Sequence, residues 1–168
     1  MGDGADPSVQ IGPLINAKAV KGVRELLSDA VDSGAKIVSS NKEADHNSNF
    51  VEPTVLTNVD SSMRVFREEI FGPIAPLIEF SSEKEVIELA NQTSYGLAAY
   101  FYSRDIGRIW RVSESLEYGM VGVNTGMISN EIAPFGGVKE SGQGREGSKY
   151  GLDDYLEIKT ITLGGIDQ

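Results

Sequence analysis

The chain has 168 residues, 40% hydrophobic and 24% charged, the proportions of an ordinary folded domain with one sizeable core. Its net charge of −10 comes from acids scattered along the chain, which argues for a solvated acidic surface and against a nucleic-acid partner, because phosphate binding needs a basic face. With no cysteine and a single histidine, disulfides and Cys/His metal sites are excluded.

No run approaches the roughly 18 apolar residues of a membrane span. Residues Met1 to Pro7 lack the basic and then apolar pattern of a signal peptide, so the expectation is a cytoplasmic chain with no membrane partner.

In chain order, Ala19, Val20, Val23, Leu26, Leu27, Ala30 and Val31 recur at three- and four-residue spacing, predicting a helix capped by Asn16 and ended by Gly34. A short strand is expected at Lys36–Ser39. Residues 40–50 read as a polar surface loop that carries His46, an exposed loop histidine rather than a member of a catalytic triad. Val51–Thr57 reads as extended, with Pro53 near a sheet edge or a strand start. Ile74–Phe80 is a strand, and Ser82-Glu-Lys-Glu85 is a capping box opening a helix through Ala90. Leu97–Tyr102 is the next strand. Asp105 then caps a helix with Ile106, Ile109, Trp110 and Leu116 on its apolar side, closed by Gly119, and Met120–Asn124 is a further strand. This alternation predicts an α/β fold built on a parallel sheet. From Thr125 to Gly151 glycines crowd one long segment whose apolar residues argue that it is ordered and functional. Tyr155–Leu163 is β-branched and apolar on both faces, which predicts a strand.

Gly142-Gln-Gly-Arg-Glu-Gly147 matches a dinucleotide fingerprint literally, but no strand–helix–strand unit surrounds it, so that reading is set aside. Glu68-Glu-Ile-Phe-Gly-Pro73 places two carboxylates and a phenyl before a strand. Its residues suit either a ligand's sugar hydroxyls and flat ring, or an exposed acidic turn with Phe71 in the core; composition favours the second. Ser129, between Ile128 and Asn130, carries no signal by itself.

Four motifs stand in order: Ile11-Gly-Pro-Leu-Ile-Asn16, Phe50-Val-Glu-Pro-Thr-Val55, Glu68-Glu-Ile-Phe-Gly-Pro73 and Pro134 to Gly147. On these the chain resembles the aldehyde dehydrogenase superfamily over essentially its whole length. Gly119 to Pro134 with Arg145 to Gly151 is similar to its succinate-semialdehyde dehydrogenase branch. The resemblance implies an oxidoreductase that oxidises succinic semialdehyde, or a similar aldehyde acid, with NAD or NADP through a cysteine thioester. It implies cofactor contacts at Glu69 (nicotinamide ribose) and Phe71 (nicotinamide), which reverses the preference from composition. It also implies substrate contacts at Ser129 (distal carboxylate) and Phe135 (pocket wall). It places the cysteine, the general base, the oxyanion-hole asparagine and the cofactor domain upstream of Met1. The expectation is therefore a C-terminal fragment, inactive alone: residues 1–150 part of the catalytic domain, and 151–168 an arm joining a homo-oligomer through Tyr155–Leu163. No catalytic residue and no metal site is expected in the chain. The alternative is that the isolated chain is a non-catalytic oligomerisation module.

Overall fold

The computed structural model describes residues 1–39 and 48–166. His46 and most of the expected 40–50 loop lie outside the described residues. Contacts divide the chain into two compact units, Met1–Ser81 and Ser82–Gln168.

The first unit forms around α1 (Ala17–Asp32). Asn16 is extended and its side chain accepts the Ala19 N–H at 2.9 Å, satisfying one of the free donors of the first turn. Val20, Val23, Leu26 and Ala30 are buried along one stripe. At the far end Gly34 adopts φ +107 and the Ala35 N–H donates to the Ala30 carbonyl, a glycine-terminated helix as the sequence indicates. The strands β1 (Lys36–Ser39), β2 (Thr54–Thr57) and β3 (Ile74–Pro76) form one sheet in that order. The β1–β2 pair is antiparallel and the β2–β3 pair parallel. Pro53 immediately precedes the central strand, so of its two expected places it takes the strand start. Leu56 on β2 is fully buried in a core with Val20, Val23, Ala30, Met63 and Ile74. A single turn, α2 (Arg64–Arg67), buries Val65; it is too short to leave a periodic signature in sequence.

The second unit opens with α3 (Glu83–Asn91), where the Glu85 N–H donates to Ser82 Oγ as the capping box predicts. Beyond β4 (Tyr95–Gly96), β5 (Ala98–Phe101) and β6 (Met120–Val123) pair in parallel across α4 (Ile106–Ser115). Asp105 caps α4, accepting the Arg108 N–H at 2.9 Å. The strand β7 (Val138–Lys139) returns antiparallel to β4, and Tyr150–Tyr155 is a 3₁₀ turn.

Four expectations are corrected. The described strands make three small sheets, one mixed, one antiparallel and one parallel, instead of a single parallel sheet. The antiparallel β4–β7 pair arises because the glycine-rich segment folds back, a long-range pairing that local rhythm does not encode. The strand expected over Ile74–Phe80 ends at Pro76. The helix α4 stops at Ser115, and its buried residue is Val112, with Ile106 and Trp110 exposed. Gly119 instead allows backbone contact, since a Cβ there would run into the Gly136 carbonyl. Finally, Tyr155 closes the 3₁₀ turn and residues 156–166 pair with no strand. Their apolar side chains find no neighbouring ladder, and Ile158 is 99% exposed. No helix among the described residues is long and apolar enough to cross a membrane.

The helices α3 and α4 are joined by charge. Glu83 takes the Arg108 Nε at 3.0 Å and the Arg111 Nε at 2.9 Å. Hydrogen bonds from Arg111 and then Arg108 hold its carboxyl down at about 2, from an ordinary 4.5. A depressed carboxyl contributes stability that is present above its unfolded value and lost as pH falls through its folded one. Glu83→Gln should therefore lower the denaturation midpoint at neutral pH and flatten its decline between pH 4.5 and about 2. Denaturant titrations across that window should show the flattening, and a profile parallel to that of the unmutated chain would refute the coupling.

Candidate functional site

Glu69 and Phe71 lie on the first unit, in the turn between α2 and β3. The Glu68 carboxylate is occupied by Arg64, whose Nε donates at 2.6 Å, and this hydrogen bond lowers the Glu68 pKa. Glu69, one residue on, is exposed and makes no hydrogen bond or ion pair to a described residue. Of the two adjacent glutamates, it alone offers a carboxylate free for a ligand's hydroxyls.

Phe71 is placed by its neighbours. Ile70 packs against the core, and a Cβ at Gly72 would lie 2.6 Å from Val23 Cγ2, so the backbone there is pressed onto α1. Between these two pinned residues Phe71 takes φ +45 and is 78% exposed. The core position that composition favoured for it is thus overturned, because the space beneath is filled by Ile70 and Val23. A left-handed non-glycine residue costs about 1–2 kcal/mol, and no packing of the ring offsets that within this chain.

Ser129 and Phe135 lie on the second unit, six positions apart on the loop after β6. The loop is tied at its start by Asn124, at φ +56, whose side chain exchanges two hydrogen bonds with the Ser103 backbone at 2.8 and 2.9 Å. Ile128 lies over Gly122, where a Cβ would come within 2.8 Å of its methyl. Phe135 and Glu146 exchange backbone hydrogen bonds at 2.8 and 2.7 Å, fixing the other end. Phe135 is half-buried; Ser129 is exposed, and its hydroxyl has no partner among the described residues.

The glycine-rich hairpin is closed on itself. One guanidinium nitrogen of Arg145 donates to the carbonyls of Gly137 at 2.7 Å, Gly144 at 2.8 Å and Gln143 at 3.3 Å. A Cβ at Gly136 would meet the Gly144 carbonyl at 2.5 Å, so glycine there allows backbone to approach backbone. The sequence reading missed Asn124, Arg145 and Asn130; an asparagine two residues before a bend was the available signal for the last.

Glu69 and Phe71 lie two residues apart on one turn, and Ser129 and Phe135 six apart on one loop, each pair within its own unit. Grooves of ≈ 660 and ≈ 360 Å³ border α1 and the Arg145 hairpin, and neither is lined by any of the four residues. No group of three or more potential metal ligands occurs among the described residues.

Residues 1–161 match the aldehyde dehydrogenase family, and the chain belongs to it. It is 59% identical over 168 residues to a 3-sulfolactaldehyde dehydrogenase of Pseudomonas putida, covering all of this chain and 35% of that protein. It is 56% identical to an NADP(+) succinate-semialdehyde dehydrogenase of Escherichia coli (strain K12), covering 98% and 34%. The crystal structure of a succinate-semialdehyde dehydrogenase from Burkholderia pseudomallei matches with a TM-score of 0.88 at 59% identity, over 92% of this chain and 32% of that one. The chain spans about a third of the length of the relatives it matches.

Because Phe71 is strained and exposed, Phe71→Gly should leave the chain's unfolding free energy unchanged or raise it by about 1 kcal/mol. Chemical denaturation measures this. A loss of more than about 1 kcal/mol would show that the ring packs structurally.

Proposed function

We propose that this chain supplies part of the cofactor and substrate sites of an NAD- or NADP-dependent dehydrogenase acting on a short aldehyde with a distal anionic group, succinic semialdehyde being the first candidate. Both curated relatives described above are named for aldehydes bearing an acid, one a carboxylate and the other a sulfonate. The observation that carries the reading is the Ser129 hydroxyl on a tethered loop, without a partner among the described residues, a neutral donor suited to an anionic oxygen.

Glu69 and Phe71 fit the nicotinamide end of the cofactor. The carboxylate is free to accept from ribose hydroxyls, and the phenyl stands where a flat ring can pack on it. When bound, that cofactor would supply the hydride acceptor for oxidation of the aldehyde. The chain contains no cysteine, and the resemblance assigns the thiolate nucleophile to a segment outside it. The role left to these residues is binding and orientation.

In the full-length enzyme, Ser129→Ala should raise KM for succinic semialdehyde while leaving an uncharged aldehyde of equal length nearly unaffected. A hydrogen bond to a charged acceptor contributes about 1.5–3 kcal/mol, a factor of roughly 10 to 150. Steady-state kinetics on the two substrates decides it; equal losses on both would sink the anion-binding role.

The C-terminal segment supports a second reading, self-association. Leu156, Ile158, Ile161 and Leu163 are 64 to 99% exposed, and their backbone pairs with no described strand. Such a segment is a template for another chain. The isolated chain should dimerise in solution, and Ile158→Lys should shift it toward monomer. Light scattering that gives a monomer for the unmutated chain at high concentration would exclude this.

A further inference from the structure

We infer that Asn130 is a positioning residue for the substrate's distal anion, acting through Ser129; the inference rests on the substrate reading above. Ser129 makes no hydrogen bond of its own to a described residue, through either main chain or side chain. Its place is therefore set by what holds its neighbours. On the N-terminal side Thr125 Oγ1 accepts the Met127 N–H at 3.2 Å, and Ile128 rests on Gly122. On the C-terminal side the hold is Asn130. Its side-chain carbonyl accepts two consecutive amides, from Ile132 at 3.1 Å and Ala133 at 2.9 Å. That closes the bend leading to Pro134 and Phe135.

The bend is locked from outside at one further point, where the Ser148 N–H donates to the Glu131 carbonyl at 3.0 Å. Ser148 sits at φ +51, directly after Gly147 at φ +64, and this left-handed pair aims the donor at the loop. Ser148 holds residue 131 only. The Asn130 side chain links the residue next to Ser129 to the start of the Phe135 segment, beside a longer main-chain bond from the Ala133 N–H to the Asn130 carbonyl at 3.4 Å. Removing the side-chain carbonyl leaves that long bond as the hold on residue 130, so Ser129 must be ordered when substrate binds. That ordering cost falls on KM, and only for a substrate that uses Ser129.

The test uses the full-length enzyme containing this segment, with succinic semialdehyde and butanal as probes. Asn130→Ala should raise KM for the acid about fivefold, with kcat and the butanal KM held within about twofold. Asn130→Ser, whose hydroxyl can accept the amide two residues on in a weaker turn of the same kind, should recover part of the loss without adding charge. The double variant Ser129→Ala/Asn130→Ala should be no worse for the acid than Ser129→Ala, because the second residue acts through the first. In the 168-residue chain, amide exchange should quicken at Ile132 and Ala133 in Asn130→Ala while Phe135 and Glu146 keep their protection. Equal KM increases for both substrates, an additive double variant, or loss of protection throughout the unit would each overturn the positioning role while leaving the substrate reading intact. A Ser129→Ala enzyme that loses nothing specific to the acid would instead bring down the substrate reading, and this inference with it.

Discussion

The carbonyls at the C-terminal end of α3 need partners, and the way they are met organises the second unit. A helix ends with carbonyls that have no intrahelical donor. Lys139 Nζ, 48 residues on, donates to the Asn91 and Thr93 carbonyls at 3.1 Å each, a cation at the negative end of the helix dipole. The Asn91 side chain donates to the Ser115 carbonyl and accepts the Glu117 N–H, tying the same point to the end of α4. The Tyr118 hydroxyl donates to the Ala90 carbonyl at 2.7 Å. Two segments distant in sequence, residues 115–118 and Lys139, therefore converge on one helix end, and β7 with the glycine-rich hairpin hangs from it.

That polar convergence matters because this unit has little apolar core. Val112 is the one buried hydrophobic side chain among its described residues, while Trp110, Tyr102 and Ile106 are largely exposed. Directional bonds take over the task that burial performs in the first unit, where Leu56 and its neighbours fill a continuous core. The difference suits a loop whose side chains are proposed to face a ligand. Specific hydrogen bonds hold the backbone of residues 124–147 without enclosing Ser129 or covering Phe135.

The two proposed ligand-binding segments, one in each unit, solve the same problem by different means. At Phe71 the backbone is forced: a half-buried Ile70 packed on the core and a glycine pressed on Val23 leave the ring no inward path. At Ser129 the backbone is tethered through asparagine side chains that imitate turns. In both, the proposed ligand residue is exposed and without a partner among the described residues, while the residues beside it are fixed. Such an arrangement keeps the ordering cost of binding low.

The sequence by itself determined the local elements. Asn16, Ser82 and Asp105 announced three helix starts, and Gly34 one helix end, because caps satisfy backbone groups within a few residues. The periodic stripe of α1 was legible for the same reason. The four motifs carried the family, and through it the four proposed ligand residues. The tertiary structure decided the rest. It split the expected parallel sheet into three, moved the buried face of α4 from Trp110 to Val112, and left Tyr155–Leu163 without a partner strand. It also showed which of two adjacent glutamates is free and why Phe71 points outward. These outcomes depend on groups far apart in the chain, such as Lys139 with Asn91 or Gly72 with Val23, and no local pattern of residues records which distant neighbour fills a given space.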